Sequence, residues 1–279
     1  MPELPEVEAA RALVARAAVG RRIVAVHCAD DPIVFEGANR AAIRRALLGR
    51  RIRAARRHGK HLWLELDRRP WPCFHFGMTG GIHVLRARNV GLVSSGGRES
   101  AAIWPPRFVK LCLGLSGGGE LAFADARRLG RVRLRRDPPA EPPISGLGFD
   151  ALRGLPPWTR VSAMLGERAA PIKAVLLDQS FAAGVGNWIA DEVLYQARIA
   201  PRRPARSLSH IEVRRLRAKL AAVVRTSVRL GAESDRYPRS WLFHVRWDRD
   251  SRAVTARGER IRRDAIGGRT AAWVPAVQR

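Results

Sequence analysis

Residues 172–201 read IKAVLLDQSFAAGVGNWIADEVLYQARIAP, and they show how the second half of the chain is built. Apolar residues recur every three or four positions near its start and again over 187–197, so we predict two consecutive helices. Between them, AAGVGNW at 182–188 supplies glycines for a tight turn and Asn187 as a cap for the second helix. Such a turn presents unpaired N–H groups to an anion, although an ordinary helix–helix connection explains it equally well. Basic neighbours such as Lys173 favour a phosphate.

The same helical spacing occurs on both sides of this stretch, over 158–168 and over 209–230. The second of these segments opens with Ser209 and Glu212, the pair that forms a capping box at the start of a helix. A further amphipathic helix is predicted over 5–19, near the start of the sequence.

Between that first helix and residue 136 the pattern becomes that of β-strands, because apolar and polar residues alternate. Leu62, Leu64 and Leu66, for example, share one face. Glycine-rich segments, SSGGRES at 94–100 and SGGGE at 116–120, are predicted loops. The strand-like runs are RRIVAVH, HLWLELD, RFVKLCLGL, ELAFAD and RVRLRR. We expect an antiparallel β-sandwich or barrel that follows the N-terminal helix.

Composition divides the chain into four segments. The strand-rich N-terminal domain is predicted at 1–136, and a proline-rich linker follows at 137–157. A helical domain is predicted at 158–240. Short strands return at 241–279, with a turn at 257–258. The expected fold class is therefore α+β.

The charge of the chain points to its partner. Among 279 residues, 51 are Lys or Arg and 25 are Asp or Glu, which gives a formal net charge of +26. Such an excess indicates a polyanionic partner, because basic side chains neutralise phosphates and release counterions. A basic membrane-surface protein is the alternative, but no segment pairs a basic face with exposed aromatics and no apolar run has membrane-spanning length. No signal peptide is expected either, so we predict a cytoplasmic, nucleoid-associated protein without a membrane partner.

The cysteines argue against a metal site. Cys28, Cys73 and Cys112 form no CxxC pair and are odd in number. Neither a disulfide framework nor a cysteine zinc site is expected, and small buried thiols are the better interpretation. We predict no metal and no cofactor.

The first eight residues, MPELPEVE, collect acidic side chains in a strongly basic chain. Pro5 suits the first turn of a helix, and Glu6 and Glu8 suit the positive end of its dipole. Pro2 and Glu3 precede the helix, so helix chemistry does not explain them.

Two glycine-bounded segments place apolar residues in predicted loops. HFGMTGG contains Met78, and ADARRLG contains Arg127, Arg128 and Leu129. Apolar tips beside arginines are what a protein needs to insert between stacked bases. Local core packing is the commoner explanation of such residues.

Taken together, these motifs resemble the formamidopyrimidine-DNA glycosylase family over essentially the whole chain. The N-terminal octet and the 172–201 stretch are highly specific, and HGKHLWLEL around Lys60 belongs to the same pattern. The remaining motifs, in the family's order and spacing, are HFGMTG, DARRLG and GGRTAAWVPAVQ. The resemblance implies a catalytic β-sandwich domain, a helix-two-turn-helix DNA-binding domain at 158–240 and a β-hairpin finger at 241–279.

The resemblance also implies the chemistry of the N-terminus. Removal of Met1 would leave Pro2 with a free secondary amine, a better nucleophile near neutrality than lysine because α-amino groups have a lower pKa. Attack on C1′ of a nucleotide gives an iminium ion that acidifies the C2′ proton and so leads to strand cleavage. By the same resemblance, Glu3 protonates the deoxyribose ring oxygen and moves protons during elimination, and Glu6 supports the amine.

Other roles follow from the resemblance. Lys60 matches a lysine of the active site. Three residues match groups that hold phosphates around the extruded nucleotide: Lys173, Asn187 and Arg269. Arg269 is also expected to be a catalytic residue. Four lie in the segments that fill the gap left by the flipped base: Met78, Arg127, Arg128 and Leu129.

The chain departs from the family's pattern in three places. Most of the family closes the finger with a four-cysteine zinc site, but Val274 and Val277 stand at the final Cys-x-x-Cys pair and no cysteine follows Cys112. This resembles the zincless, plant-type branch, whose finger is held by packing. Leu129 stands where phenylalanine is usual and has no ring to stack on a base. The segment 231–241 is unlike the longer loop with which zinc-containing relatives cover 8-oxoguanine.

The resemblance implies a monomeric, bifunctional DNA glycosylase and AP lyase of base excision repair. Such an enzyme excises oxidised or ring-opened purines from duplex DNA and nicks the strand by β,δ-elimination through a Schiff base at Pro2. Two alternatives stay open: the same chemistry on oxidised pyrimidines, as in endonuclease VIII relatives, and a non-catalytic protein that binds damaged DNA. Intact Glu3 and Lys60 argue against loss of the chemistry, and DARRLG favours purines.

Overall fold

The structure, a computed structural model, describes residues 2–87, 104–248, 250 and 252–279. It divides into two compact units. The first comprises Met1–Gly146 with Gly231–Glu233, and the second comprises Leu147–Leu230 with Ser234–Arg279. The division between residues 146 and 147 falls inside the proline-rich segment predicted as a linker.

The first unit combines an N-terminal helix, α1 (Leu4–Ala18), with two antiparallel sheets. In chain order its strands are β1 (Ile23–Cys28), β2 (Ile52–His58), β3 (His61–Leu66), β4 (Trp71–His75), β5 (Gly81–Val84), β6 (Val109–Leu115), β7 (Gly119–Ala124) and β8 (Arg131–Arg135). One four-stranded sheet has the order β1-β6-β7-β5, and the other has the order β2-β3-β4-β8. The expected α+β fold with an N-terminal helix and antiparallel sheets is confirmed.

The apolar residues that alternate with polar ones along the strands form the core of this unit. Leu62, Leu64 and Leu66 are 0%, 1% and 3% exposed, as their shared face predicts. They belong to one cluster of buried side chains, to which α1 contributes Val7 and Val14. Helix α1 packs against β2, so the core holds the first residues of the chain in place.

Several elements of the first unit have no clear signal in the sequence. Helix α2 (Arg40–Leu47) is short and arginine-rich, and it begins where Oδ1 of Asn39 accepts the Ala42 N–H at 2.9 Å. Strand β4 contains Pro72, which usually argues against a strand. The predicted loop at 116–120 is confirmed as the turn between β6 and β7. The predicted loop at 94–100 lies outside the described residues.

The second unit is mainly helical. Its helices are α3 (Trp158–Gly166), α4 (Ile172–Leu177), α5 (Asn187–Ala197) and α6 (His210–Arg229). A short strand, β9 (Phe149–Asp150), pairs in parallel with β10 (Ala182–Ala183). None of the helices in the described residues has the length and apolar character that a bilayer crossing requires.

The ends of these helices show which capping predictions were right. The Ser209–Glu212 capping box at the start of α6 is confirmed, since the Ser209 N–H donates to Oε2 of Glu212 at 2.8 Å. The prediction that Asn187 caps α5 is wrong. Gly186 has the extended backbone of the cap, and Asn187 is the first residue inside the helix.

A β-hairpin of β11 (Arg262–Ile266) and β12 (Arg269–Trp273) closes the chain. Its turn is Gly267–Gly268, where φ values of +60° and +71° favour glycine. The turn predicted at 257–258 is also present, since the Gly258 N–H donates to the Thr255 carbonyl at 2.9 Å.

Apolar packing holds this hairpin to the unit. Val274 is fully buried in a cluster with Tyr195, Leu242 and Ala272, and Val277 packs against it. These valines have no donor atom for zinc. Among the residues that the structure describes, no group of three or more His, Cys, Asp or Glu side chains could hold a metal ion. The residues at these positions therefore cannot form the four-cysteine zinc site that most members of the family it resembles have.

Candidate active site and DNA-binding elements

The start of α1 brings Pro2, Glu3 and Glu6 together in a buried position. Pro2 is buried, and Glu3 and Glu6 are 2% and 6% exposed. The Glu3 N–H donates to Oε2 of Glu6 at 3.0 Å, and the Glu3 carbonyl accepts the Val7 N–H at 3.1 Å. Helix α1 thus begins at Leu4 with Glu3 as its cap, and a capping box holds the Glu6 carboxyl group against the Glu3 backbone, so Pro2 is the residue that helix chemistry leaves unexplained.

Glu6 is adapted for proton exchange. Burial, together with the neighbouring Glu3 carboxyl, raises the pKa of Glu6 to about 7. A group with a pKa near the working pH can both donate and accept a proton, as general acid–base catalysis requires. An enclosed carboxyl with a shifted pKa is therefore a candidate for chemistry as well as for structure.

A buried chain of polar contacts connects α1 to the turn that carries Lys60. Oε2 of Glu8 accepts from Nε of Arg57 at 2.8 Å, and Nη1 of Arg57 donates to the Gly59 carbonyl at 2.8 Å. Gly59 and Lys60 form the turn between β2 and β3, and Lys60 is only 8% exposed. Arg57 therefore fixes the position of this turn relative to α1.

Two histidines lie on the strands next to Lys60. His61 and His75 are partners across β3 and β4, and their ring centroids are 4.8 Å apart. Burial, with the basic groups around them, lowers the pKa of His61 to about 3 and that of His75 to about 4. Both rings are therefore neutral at physiological pH and add no positive charge beside Lys60.

One buried carboxylate holds the loops that carry Met78 and Leu129. Met78 and Leu129, the tips of these two loops, are 37% and 40% exposed, whereas Asp125 is 1% exposed. The Asp125 oxygens accept from three donors: the Thr79 hydroxyl at 2.8 Å, the Arg127 N–H at 3.1 Å and the Gly130 N–H at 2.6 Å. The two tips are therefore attached to the same side chain.

The backbones of the two loops are also in direct contact. A Cβ added to Gly77 would lie 2.4 Å from the carbonyl carbon of Leu129, which no real Cβ contact permits. Gly77 also has a φ of +59°, so a side chain there would strain the backbone as well. Met78 and Leu129 thus lie on one two-loop element.

Arg128 is held from the other side of this element. Its Nε and Nη2 donate to Oδ2 and Oδ1 of Asp31, both at 3.0 Å, and Nζ of Lys110 donates to Oδ2 at 2.9 Å. Burial alone would raise the pKa of Asp31, but these hydrogen bonds outweigh it and hold the pKa well below its usual range. Arg128 remains 47% exposed, so one guanidinium both anchors its loop and faces solvent.

In the second unit Lys173 lies in the interior. Its side chain is 0% exposed, and Nζ donates to Oδ1 of Asp191 at 2.6 Å and to the Thr270 carbonyl at 2.8 Å. The other oxygen of Asp191 accepts from Nη2 of Arg246 at 2.6 Å and from the Ala272 N–H at 3.1 Å. The ammonium group of Lys173 thus forms a buried ion pair that anchors β12, and its expected contact with a phosphate stays a prediction.

The same contacts position Arg269. This residue is exposed at the start of β12, next to the anchored Thr270. The hairpin turn packs closely on α4, since a Cβ added to Gly267 would lie 2.9 Å from Cβ of Ala174. The buried ion pair and this close approach leave Arg269 directed outward on a fixed strand.

The glycine-rich turn before α5 is held by Gln179. Its Nε2 donates to the Val185 carbonyl at 2.8 Å, and its Oε1 accepts the Gly184 N–H at 3.1 Å. Oδ1 of Asn187 is buried and has no hydrogen-bond partner in the part of the chain that the structure describes. Buried polar atoms are nearly always paired, so this side chain has capacity that the fold itself does not use.

The sequence named candidate site residues but not the side chains that hold them. Within the first unit the structure brings Pro2 and Glu3 together, and separately Met78 and Leu129. Three supporting residues were missed: Arg57, Asp125 and Asp191. Asp125 lies in the motif DARRLG beside two arginines, and Asp191 lies in the apolar run WIADEVL; an acid in either setting was an available signal.

Comparison with known sequences identifies both parts of the chain. Residues 1–132 match the formamidopyrimidine-DNA glycosylase N-terminal domain, and residues 147–238 match the formamidopyrimidine-DNA glycosylase H2TH domain. A formamidopyrimidine-DNA glycosylase of Arabidopsis thaliana is 42% identical over 281 residues, covering 100% of this chain and 71% of that protein. One of Thermus thermophilus is 33% identical over 291 residues, covering 100% of this chain and 98% of that protein.

Solved structures agree with these matches. The crystal structure of MutM (Fpg) from Thermus thermophilus has a TM-score of 0.78 at 33% identity, covering 99% of this chain and 98% of that one. Lactococcus lactis Fpg, bound non-covalently to DNA with an AP site, has a TM-score of 0.81 at 23% identity, covering 99% of each chain. Both halves of the chain thus match one class of protein, the helix-two-turn-helix DNA glycosylases. Within that class, the chain belongs to the formamidopyrimidine-DNA glycosylase family.

Proposed function

We propose that this chain is a bifunctional DNA glycosylase and AP lyase of base excision repair that removes oxidised or ring-opened purines. The observation that carries the proposal is the buried group of Pro2, Glu3 and Glu6 at the start of α1. The partner is double-stranded DNA that contains damaged bases or abasic sites. A net charge of +26 suits such a polyanion.

In the proposed reaction Pro2, freed of Met1, is the nucleophile. Its uncharged secondary amine attacks C1′ of the damaged nucleotide, and the base leaves with the electrons of the glycosidic bond and a proton. Opening of the sugar ring, with a proton delivered to O4′, gives an iminium ion between Pro2 and C1′. Loss of the C2′ proton expels the 3′ phosphate, and a further proton loss at C4′ expels the 5′ phosphate.

Glu3 and Glu6 are proposed to carry out different proton transfers. Glu3, adjacent to Pro2, protonates O4′ and then moves protons during elimination. Glu6 accepts the proton that the amine releases, for which a pKa of about 7 is suitable.

Two residues are proposed to hold the phosphates that flank the extruded nucleotide, Asn187 and Arg269, and Lys60 is proposed as a lysine of the active site. The outward position of Arg269 supports its contact with a phosphate, and the side-chain NH₂ group of Asn187 can donate to a phosphate oxygen. Lys173 acts on the same phosphates indirectly, because its ion pair with Asp191 anchors the strand that begins at Arg269.

The two-loop element is proposed to fill the gap left by the flipped base. Met78 and Leu129 insert as apolar tips, and Arg127 lies beside them. Arg128 contributes by holding the loop through Asp31. Attachment of both loops to Asp125 supports this role, because a rigid wedge loses less entropy on insertion.

The proposed organisation keeps the four predicted segments. Residues 1–136 form the catalytic domain, 137–157 the linker, 158–240 the helix-two-turn-helix domain and 241–279 a zincless finger. We infer that the protein is a monomer, that it is cytoplasmic and that it is associated with the nucleoid.

Borohydride trapping tests the proposal, because reduction of the iminium ion fixes the protein covalently to abasic DNA. The chain with Met1 removed is expected to be trapped, and the same chain with an uncleavable N-terminal extension is not. Glu3→Gln should bind damaged duplex but cleave it poorly. Equal trapping of the extended chain would refute the role of Pro2. Absence of trapping in the wild type would instead indicate a non-catalytic binding protein.

A further inference from the structure

Phe108 combines two unfavourable features. Its ring is 56% exposed, and its backbone has a φ of +59°. A bulky L-residue rarely adopts this left-handed conformation, because its Cβ approaches the following carbonyl oxygen. Strained residues of this kind concentrate at functional sites, so the conformation points to a use for the exposed ring.

The backbone of Phe108 is joined to the two-loop element. Its carbonyl accepts the Asp125 N–H at 3.1 Å, and the side chain of Asp125 holds the loops of Met78 and Leu129. Asp125 follows β7 directly and Phe108 precedes β6, and these strands are neighbours in one sheet. The ring therefore lies at the same end of the first unit as the two tips.

A second connection leads to the same place. Lys110, two residues after Phe108, donates to Asp31, and Asp31 also binds the guanidinium of Arg128. Lys110 thus lies two residues from Phe108, Arg128 lies next to Leu129, and the buried Asp31 carboxylate binds both cations. This arrangement fixes the strand that carries Phe108 relative to the loop that carries Leu129.

The surroundings of the ring favour nucleic acid as its partner. The guanidinium carbon of Arg107 lies 5.2 Å from the centroid of the Phe108 ring. Arg127 and Arg128 are exposed nearby on the two-loop element. An aromatic face within a cluster of arginines is the combination that stacks on bases while neutralising phosphates.

We propose that Phe108 stacks on a base next to the gap left by the extruded nucleotide and so supplies the ring that Leu129 lacks. The inference rests on the proposed function, since it places the wedge in damaged DNA. Insertion of Leu129 alone fills volume but leaves the exposed base without an aromatic partner. A ring from the neighbouring strand restores part of that contact.

Binding of a duplex that contains a tetrahydrofuran abasic analogue, with 2-aminopurine opposite it, tests the proposal. Val24→Ala is the matched control, because Val24 is 55% exposed on β1 of the same sheet. Phe108→Ala should weaken binding roughly 5- to 150-fold, the range expected for loss of one base–aromatic stack. The fluorescence of 2-aminopurine in the complex should rise, because the base is no longer covered. Affinity and fluorescence equal to those of Val24→Ala would overturn the proposal.

Two further variants separate stacking from folding. Phe108→Trp should restore both the affinity and the quenched fluorescence. Phe108→Gly should raise the denaturation midpoint, since glycine relieves the left-handed strain, yet bind the abasic duplex as weakly as Phe108→Ala. Loss of binding with a lowered midpoint would mean that Phe108 only supports the fold. The proposed function is judged separately, because borohydride trapping of the wild type does not depend on these variants.

Discussion

Nζ of Lys173 lies 2.6 Å from Oδ1 of Asp191, and the two side chains are 0% and 1% exposed. Burial of two charges is expensive, so such a pair is stable only where further hydrogen bonds satisfy the remaining atoms. Arg246 and the Ala272 N–H do this at the second oxygen of Asp191. The pair therefore acts as an internal anchor for the hairpin.

Lys173→Met should destabilise the protein by about 3 kcal/mol, because it leaves a buried carboxylate without its closest cation. Urea denaturation measures this effect. Lys219→Met, on the partly exposed side of α6, makes the same change without a buried partner and should alter stability little. If Lys173→Met unfolds at the wild-type urea concentration but loses DNA binding, the lysine contacts DNA directly after all.

Arg269→Ala should leave stability unchanged and weaken DNA binding irrespective of sequence. Loss of one phosphate contact should make the plot of log Kobs against log salt concentration less steep by about one unit. Fluorescence anisotropy over a range of salt concentrations measures the slope. Arg16→Ala removes the same charge from the last turn of α1, and its slope should equal that of the wild type. An unchanged slope in Arg269→Ala would exclude a phosphate contact there.

Glu6 should make the protein less stable as the pH rises from about 4.5 to about 7. Its pKa is raised from 4.5 to about 7 by burial and by Glu3, so the folded protein keeps a proton that the unfolded chain has released. His61 and His75 act in the opposite direction, because their pKa values are lowered and the unfolded chain binds their protons instead. The contribution of Glu6 is therefore isolated by Glu6→Gln, whose urea midpoint should rise relative to that of the wild type over this pH range. A difference in midpoint that stays constant from about pH 4.5 to about 7 would contradict the raised pKa of Glu6.

Well-stacked 8-oxoguanine should be a poor substrate, and ring-opened purines, non-planar hydantoins and abasic sites should be cleaved faster. Base flipping requires unstacking and unpairing, and Leu129 offers less compensation than an aromatic ring. The segment 231–241 also does not resemble a lesion-covering loop. Its Tyr237 is buried and packs on Trp188, with 5.7 Å between the two ring centroids. Single-turnover cleavage of duplexes with one lesion opposite cytosine measures the preference. Leu129→Phe should raise the 8-oxoguanine rate most, and equal wild-type rates on all lesions would contradict the argument.

Prolonged chelation should leave activity intact, because apolar packing of Val274 takes the place of a metal at the hairpin. Val274→Ala should destabilise the second unit by about 2 kcal/mol through lost burial and a residual cavity. Thermal denaturation and elemental analysis check both statements. One zinc atom per chain would show that the hairpin has been assigned wrongly.

Much of the fold could be predicted because its periodicity is strong. Leu62, Leu64 and Leu66 alternate cleanly, and the capping box at Ser209 marks the start of α6. The start of α5 at residue 187 was predicted correctly, but its cap was assigned to Asn187 because asparagine and glycine both cap helices, and only the backbone shows that Gly186 has the extended conformation. Helix α2 was missed although Ile43, Ala46 and Leu47 have helical spacing, because the segment is short and rich in arginine.

The site was predictable in its residues but not in its contacts. Lys173 matches a phosphate-binding position, yet its burial depends on Asp191 and Arg246, which lie far along the chain. Such long-range pairing leaves no local pattern. The ring of Phe108 was similarly hidden, because the strand-like run RFVKLCLGL does not show that its second residue has a positive φ.

The shared attachment of both loop tips to Asp125 has an evolutionary consequence. Asp125 and Gly77 hold the loop through its backbone atoms and not through the side chain at position 129. We therefore expect leucine and phenylalanine to exchange there while the loop framework stays the same. A single substitution at this position would then change the range of lesions that an enzyme of this kind repairs.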